Sequence, residues 1–344
     1  RALDLHTVQR LANHCQEQRA GVLLAALVSS YFLGQGHTCL PLTVLFDSPF
    51  QSINKKQWQA CLESLGITSY QAVLTELINS PLIDVKTTNN TLDPVPSKPY
   101  VLEGDRLYLA RYYGFECHVV NYIHQAQNRP HYEFEASWLD KLFDEDKTQN
   151  NNADIDWQKV SVANAGLQSF AVISGGPGTG KTTTVTKLLL LLALQANAKE
   201  QGLTIELAAP TGKAAARLTQ SIIQAKAKLR QSTDFSDEVF TLIPEKASTL
   251  HRLLGSQYGR SGFRHNQKNP LHLDVLLVDE ASMVDLPMMA KLLDALPAQA
   301  RLILLGDKDQ LASVEAGSVL ADLTHGIEPV AFSSDWAQTL TELT

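Results

Sequence analysis

From Trp157 onward, short apolar runs alternate with stretches of helical spacing. FAVISG, IELAAP, DVLLVDE and ARLILLGD each read as a strand buried on both faces. Around them lie helical patterns: WQKVSVANAGL, a segment after a Gly-rich turn, a helix from about 213 to 230, one near 286–295 and one near 316–325. A long polar loop precedes DVLLVDE. Strands alternating with amphipathic helices predict a parallel sheet covered on both faces, an α/β architecture. The most apolar window, LLLLLALQ (188–195), is too short to span a bilayer and follows directly on the Gly-rich turn. It reads as a buried helix.

The chain before this region is patterned differently. LHTVQRLANHCQEQ and AGVLLAALVSSYFL predict helices, and a Pro- and Thr-rich passage follows, TTNNTLDPVPSKPY (87–100). YVLEGDRLYLARYYGFECHVVNYIHQ predicts a hairpin-like pair of strands around Gly104–Asp105 and then a helix. FDEDKTQNNNADID (143–156) has almost no apolar residue and reads as a linker. The expected organisation is a smaller, mainly helical N-terminal domain (1–142), the polar linker (143–156), and an α/β domain (157–344). Nothing in 1–142 carries recognisable chemistry, and its scattered histidines and tyrosines read as core or interface residues.

Composition narrows the class without deciding it. The 344 residues are 44% hydrophobic and 19% charged, ordinary globular material long enough for two cores. The start lacks the basic-then-apolar layout of a secretory signal. The four cysteines, Cys15, Cys39, Cys61 and Cys117, lie far apart with no C-x-x-C pair, which disfavours a metal cluster or a disulfide framework. Together these features predict a cytoplasmic protein with reduced thiols and no membrane partner. Net charge is −7, but it is unevenly spread. Residues 181–268 hold 13 Lys/Arg against 6 Asp/Glu, whereas 270–344 hold 3 against 12. The basic segment is a candidate polyanion-binding face or a solvated helix surface, and charge alone leaves both open.

GGPGTGKT (Gly175–Thr182) satisfies G-x-x-x-x-G-K-[ST] between a predicted strand and a predicted helix, the context of a phosphate-binding loop. Backbone N–H groups of Gly175, Gly176, Pro177's neighbours, Gly178, Thr179 and Gly180 close around phosphates at a helix N-terminus. Lys181 neutralises the β- and γ-phosphates, Thr182 offers its hydroxyl to Mg²⁺, and Thr183 follows in the first helical turn. VLLVDEASM (275–283) ends an apolar strand in two carboxylates: Asp279 for the Mg²⁺ shell and Glu280 to polarise an attacking water. Gln310, after the strand LILLGD, is placed to sense the γ-phosphate or the water, or belongs to a solvated loop. Gln158, just before the first strand, is placed to read an adenine edge or is an ordinary surface glutamine.

IELAAPTGKAAARL (205–218) contains a second Gly-Lys pair, Gly212–Lys213, that fails as a nucleotide loop. The position five before Gly212 is Leu207, and Lys213 is followed by Ala214, which cannot ligate Mg²⁺. What remains is an anion site at a helix N-terminus, with Thr211 and Lys213 beside it and Arg217 one turn on. A nucleic-acid backbone phosphate fits it, and so does a plain helix cap with solvated cations. STLHRLLG (248–255) adds Thr249, His251 for stacking on a base and Arg252 for a phosphate, or else a buried helix with a satisfied histidine.

In this order, GGPGTGKTTT, LAAPTGKAAARL, STLHRLLG, LLVDEASM and LLGDKDQLASVEAGSVL resemble the superfamily 1 DNA helicases. Among these they resemble the RecD subunits of exodeoxyribonuclease V, the RecBCD complex. The resemblance is dense over about 157–325 and looser across the N-terminal region, including GDRLYLARYY. It implies a RecA-like P-loop NTPase motor domain, moving 5′ to 3′ on single-stranded DNA with ATP and Mg²⁺. It also implies a heterotrimer with RecB-like and RecC-like subunits, docked through the N-terminal domain, in double-strand-break repair and recombination. By the family pattern Lys181, Thr182, Asp279, Glu280 and Gln310 form the ATPase site, with Gln158 near the adenine. Thr211, Gly212, Lys213, Arg217, Thr249 and His251 face DNA. Members of that family continue into a second motor domain supplying arginine fingers, each worth about 10³–10⁵ in rate. The closing residues EPVAFSSDWAQTLTELT carry no catalytic pattern, so this chain is expected to bind ATP and single-stranded DNA but not to unwind alone. Two other readings stay open: a P-loop NTPase with no DNA role, and a non-catalytic assembly module.

Overall fold

Helix-forming and strand-forming segments sort into two compact units in a computed structural model, which describes residues 2–50, 52–86, 95–143, 155–176, 178–257, 259, 262–307, 316–326 and 332–344. The first unit comprises residues up to Asn121, with Asp285–Ala290 and residues 316–317 added; the second comprises the rest. Among the described residues no helix is long and apolar enough to cross a membrane.

The first unit begins with two helices, α1 (Ala2–Cys15) and α2 (Ala20–Leu33). Strand β1 (Cys39–Pro41), a 3-10 turn (Leu42–Phe46), α3 (Lys55–Ser64) and α4 (Tyr70–Ile78) follow. The start of α3 is fixed by a reciprocal cap, Asn54 accepting from the Gln57 N–H and Gln57 accepting from that of Asn54. Strands β2 (Ile83–Lys86), β3 (Tyr100–Glu103) and β4 (Arg106–Leu109) lead into α5 (Ala110–Gln127). The expected hairpin around Gly104–Asp105 is β3–β4, antiparallel, with Tyr100 opposite Leu109. It is the centre of a four-stranded sheet of order β1-β4-β3-β2 among the described residues, so the unit is less purely helical than its sequence suggests. Val22, Ala25, Leu40, Leu77, Ile83 and Tyr100 bury fully in its core.

The division between the units falls within α5, not at the polar stretch 143–156. The physical reason lies in α6 (Ala136–Phe143), whose Leu139, Leu142 and Phe143 bury in the core of the second unit.

The second unit continues with α7 (Trp157–Leu167), β5 (Phe170–Ser174), α8 (Lys181–Ala198), β6 (Ile205–Ala209) and α9 (Gly212–Ser232). After these come α10 (Asp237–Thr241), β7 (Ala247–Thr249), α11 (Leu250–Leu253) and β8 (Val275–Val278). A 3-10 turn (Ala281–Met283), α12 (Leu286–Ala295, whose residues up to Ala290 fall in the first unit), β9 (Arg301–Gly306), α13 (Val319–Thr324) and α14 (Ser334–Leu343) complete the order. Among the described residues the strands form one parallel sheet of order β5-β9-β8-β6-β7. β8 and β9 are buried throughout, as unbroken apolar runs in a covered parallel sheet must be. LLLLLALQ is the buried middle of α8. All the strands point the same way, so the residues after their carboxyl ends gather along one edge, where open α/β sheets bind ligands.

Candidate nucleotide and anion sites

The Gly-rich loop joins the end of β5 to the first residue of α8. Gly178 and Gly180 both hold φ of +80°, a region that strains any side chain. A Cβ on Gly180 would also lie 2.7 Å from Gln158 Nε2. The loop is fastened from three sides. Gly175 N–H donates to the Gly306 carbonyl at the end of β9 (3.2 Å), Thr179 Oγ1 donates to Gly176 O (2.9 Å), and Gln158 Nε2 donates to Thr179 O (3.1 Å). Lys181 folds back over the loop, its Nζ donating to Gly175 O at 2.5 Å. Thr182 is half-buried and Thr183 exposed in the first turn of α8, which carries no acidic residue. Pro177 lies outside the described residues.

The structure brings the Asp-Glu pair to the same edge. Asp279 leaves the end of β8, its N–H donating to Ala208 O (2.9 Å) and its Oδ1 accepting from the Glu280 N–H (2.9 Å). Burial pushes its carboxyl above the ordinary aspartate range; the Glu280 N–H and the positive charge of Lys181 pull it back, while the Glu280 charge adds to the rise. Lys181 and Asp279 therefore share one electrostatic site although they leave strands separated by β9. Glu280 occupies the left-handed region (φ 50°, ψ 41°), a strain of roughly 1–2 kcal/mol for a side-chain-bearing residue. The 3-10 turn that follows retains it there, Met283 N–H donating to Glu280 O (3.0 Å). Gln310 lies outside the described residues.

The second Gly-Lys turn follows β6, three strands along the sheet from β5 and next to β8. Ala209, ending β6, pairs with Thr249, ending β7, so the two helix starts that follow them are neighbours. The distance in sequence had hidden this. Each threonine caps its own helix: Thr211 Oγ1 accepts from Ala214 N–H (3.2 Å) and Thr249 Oγ1 from Arg252 N–H (3.3 Å). Lys213 and Arg217 are exposed and make no ion pair among the described residues. A lysine in the first turn of α9, with no acidic residue beside it, opposes the helix dipole and gains nothing for folding. His251 is exposed, edge-on to Phe263 with ring centroids 5.7 Å apart, so the buried-histidine alternative does not hold.

Residues 1–108 match the family described as RecBCD enzyme subunit RecD, N-terminal domain, and residues 158–316 match an AAA domain family. The chain is 42% identical over 315 residues to the RecBCD enzyme subunit RecD of Haemophilus influenzae, covering 88% of this chain and 47% of that protein. It is 39% identical over 331 residues to the subunit of the same name in Mycolicibacterium smegmatis, covering 94% and 52%. The chain belongs to the RecD family. It spans about half the length of these relatives. A 169-residue stretch is also 41% identical to the ATP-dependent RecD2 DNA helicase of Deinococcus radiodurans, covering 49% of this chain and 20% of that protein.

Within this RecD-family chain the AAA match begins at Gln158, the residue that fastens the Gly-rich loop. Gly306 is a functional position that sequence reasoning missed. It supplies the carbonyl that ties the loop to the neighbouring strand β9, and no local pattern marks it, because only the β5–β9 pairing places it there.

Proposed function

We propose that this chain is an ATP-dependent motor unit of a DNA helicase subunit, binding ATP with Mg²⁺ at the Gly-rich loop and single-stranded DNA at the β6–β7 edge. The observation that carries the reading is the coexistence of two phosphate-holding turns on one sheet edge. One has a Lys181–Asp279 pair of opposite charge; the other has an exposed Lys213 and no carboxylate. The AAA domain match supports nucleotide binding in general.

In this reading the backbone from Gly175 to Gly180 enfolds the phosphates, and Lys181 exchanges its bond to Gly175 O for phosphate oxygens. Thr182 and Asp279 are hard oxygen donors that fit Mg²⁺, and the buried, electrically unfavoured carboxylate of Asp279 is suited to a divalent cation. Bound Mg²⁺ supplies charge neutralisation at the phosphates. Glu280 orients the attacking water and accepts its proton, Gln310 reports on the γ-phosphate, and Gln158 reads the adenine. Thr211, Gly212, Lys213, Arg217, Thr249 and His251 hold the DNA strand, whose travel is 5′ to 3′. The first unit docks on RecC-like and RecB-like subunits in the cytoplasm, where the complex acts in double-strand-break repair and recombination. The family named for this unit is that of a RecBCD subunit, which supports the assignment.

Equilibrium binding of a fluorescent ATP analogue with Mg²⁺, and of a labelled single strand at several salt concentrations, tests both halves. Lys181→Ala abolishes nucleotide binding while leaving salt-sensitive DNA binding. Unchanged nucleotide binding by that variant, or DNA binding indifferent to salt, overturns the reading.

A further inference from the structure

Arg301 opens β9 at the end of the sheet opposite the nucleotide loop, and it is 6% exposed. A buried cation costs several kcal/mol unless it is well compensated. Among the described residues Arg301 has no ion pair. Its Nη1 donates to Gln195 Oε1 (2.9 Å), and its Nη2 to Ala165 O (3.1 Å) and Gly166 O (2.7 Å). Its guanidinium lies 3.9 Å from the centre of the Tyr132 ring, and its Nε has no partner. Burial pushes its pKa down to about 10, so it stays charged at neutral pH. An apolar residue would fill this strand position without these costs, so the sheet alone does not explain an arginine.

The carbonyls it holds belong to the last turn of α7, where helix oxygens lack intrahelical partners and carry the negative end of the dipole. Gln195 of α8 completes the latch by donating Nε2 to Gly166 O (3.1 Å) and Glu133 O (3.2 Å). The fit there is close: a Cβ on Gly166 would meet Leu191 Cδ2 at 2.8 Å and Phe134 at 3.2 Å. α7 has 11 residues, a rod of about 16 Å. Its other end carries Gln158, whose amide reaches the nucleotide loop at Thr179. A rod pinned at its foot fixes the reach of its tip.

We propose that Arg301, together with Gln195, is a positioning residue for the nucleotide site, setting the seat of α7 on α8 and thereby the placement of Gln158 on the loop and on the base. The proposal rests on the nucleotide reading above. Neither residue touches nucleotide; they act through the helix.

The test compares binding of fluorescent ATP and GTP analogues to the 344-residue chain, to Arg301→Met, Gln195→Met and Gln158→Ala, and to the Arg301→Met/Gln158→Ala double variant. Melting curves are recorded for each. Arg301→Met is expected to lower both ATP affinity and the ATP-over-GTP preference by about fivefold, the scale of a coupling of about 1 kcal/mol between linked sites. The double variant is expected to bind no more weakly than Gln158→Ala alone. If Arg301→Met does not fold, Gln195→Met carries the same readout, since it loosens the same Gly166 carbonyl. Variants that melt earlier yet keep the wild-type ATP-over-GTP ratio, or losses that add to that of Gln158→Ala, overturn the proposal and leave the nucleotide reading intact. A wild-type chain that binds neither nucleotide, or that does not distinguish them, overturns both.

Discussion

The side-chain amide of Gln158 occupies the space in which a side chain on residue 180 would begin: a Cβ there would lie 2.7 Å from Nε2, the same atom that donates to Thr179 O. The absence of a side chain at Gly180 is therefore a condition for Gln158 to hold the loop.

Gly180→Ala should fail on two counts, the +80° backbone and the collision with Gln158. The backbone strain alone is roughly 1–2 kcal/mol. Nucleotide binding should fall with it, because the amide must leave Thr179. Gly176→Ala is the matched control, since its Cβ would find its nearest neighbour at 3.9 Å. Isothermal titration and thermal melts on both variants check this; equal losses would show that glycine content, not the Gln158 contact, governs the loop.

Asp279→Asn is expected to raise the melting temperature of the nucleotide-free chain at neutral pH while removing Mg²⁺-dependent nucleotide binding. Burial raises the Asp279 carboxyl above its ordinary range, so the fold disfavours the ionised form. Its contribution to stability is present below the ordinary carboxylate pKa and is lost as pH rises through the folded value. Removing the charge removes that loss. A variant that melts earlier than the parent at pH 7 would contradict the argument.

Glu17 has the opposite sign. Burial alone would push its carboxyl up, but Arg19, Ser80 and backbone N–H groups outweigh this and hold it at about 2, from an ordinary 4.5. Its carboxylate accepts from Arg19 Nη2 (2.6 Å), Arg19 Nε (2.8 Å) and Ser80 Oγ (2.7 Å). A depressed carboxyl stabilises above the unfolded pKa and loses that stabilisation as pH falls toward the folded value. Glu17→Gln should therefore destabilise the chain at pH 7, with the difference from the parent shrinking as pH falls from 4.5 toward about 2. Urea unfolding across that pH range measures it.

How much of this was legible in the sequence depends on where the information lies. The loop, the strands flanking it and the Asp279–Glu280 pair are local patterns, and the helices near 213–230 and 286–295 correspond to α9 and α12. β1, β2 and β7 were missed, being three or four residues long and lacking an apolar run. A strand such as Ala247–Thr249 exists because β6 offers it an edge, a fact about a partner and not about its own composition. The division within α5 was not legible for a related reason. Polarity marks where chain is exposed, whereas Leu139, Leu142 and Phe143 record which core the preceding helix joined. Arg301 looked like the polar start of a strand, and its role became visible only with the α7 carbonyls beside it.

Lys213 separates a DNA-facing cation from a solvated one by its effect on stability and binding together. It stands in the first turn of a 21-residue helix with no acidic neighbour there, so its charge opposes the positive end of the dipole. Lys213→Ala should leave stability unchanged or raise it by about 0.3–1 kcal/mol. The same change should weaken single-strand binding evenly across sequences and reduce the salt slope by about 1. Arg217, one turn on and also exposed, should behave alike when changed to Ala. Fluorescence anisotropy at four or more salt concentrations, with thermal melts on the same samples, reads both quantities. A destabilised variant with an unchanged salt slope would assign Lys213 to the fold and move the DNA path away from the β6–β7 edge.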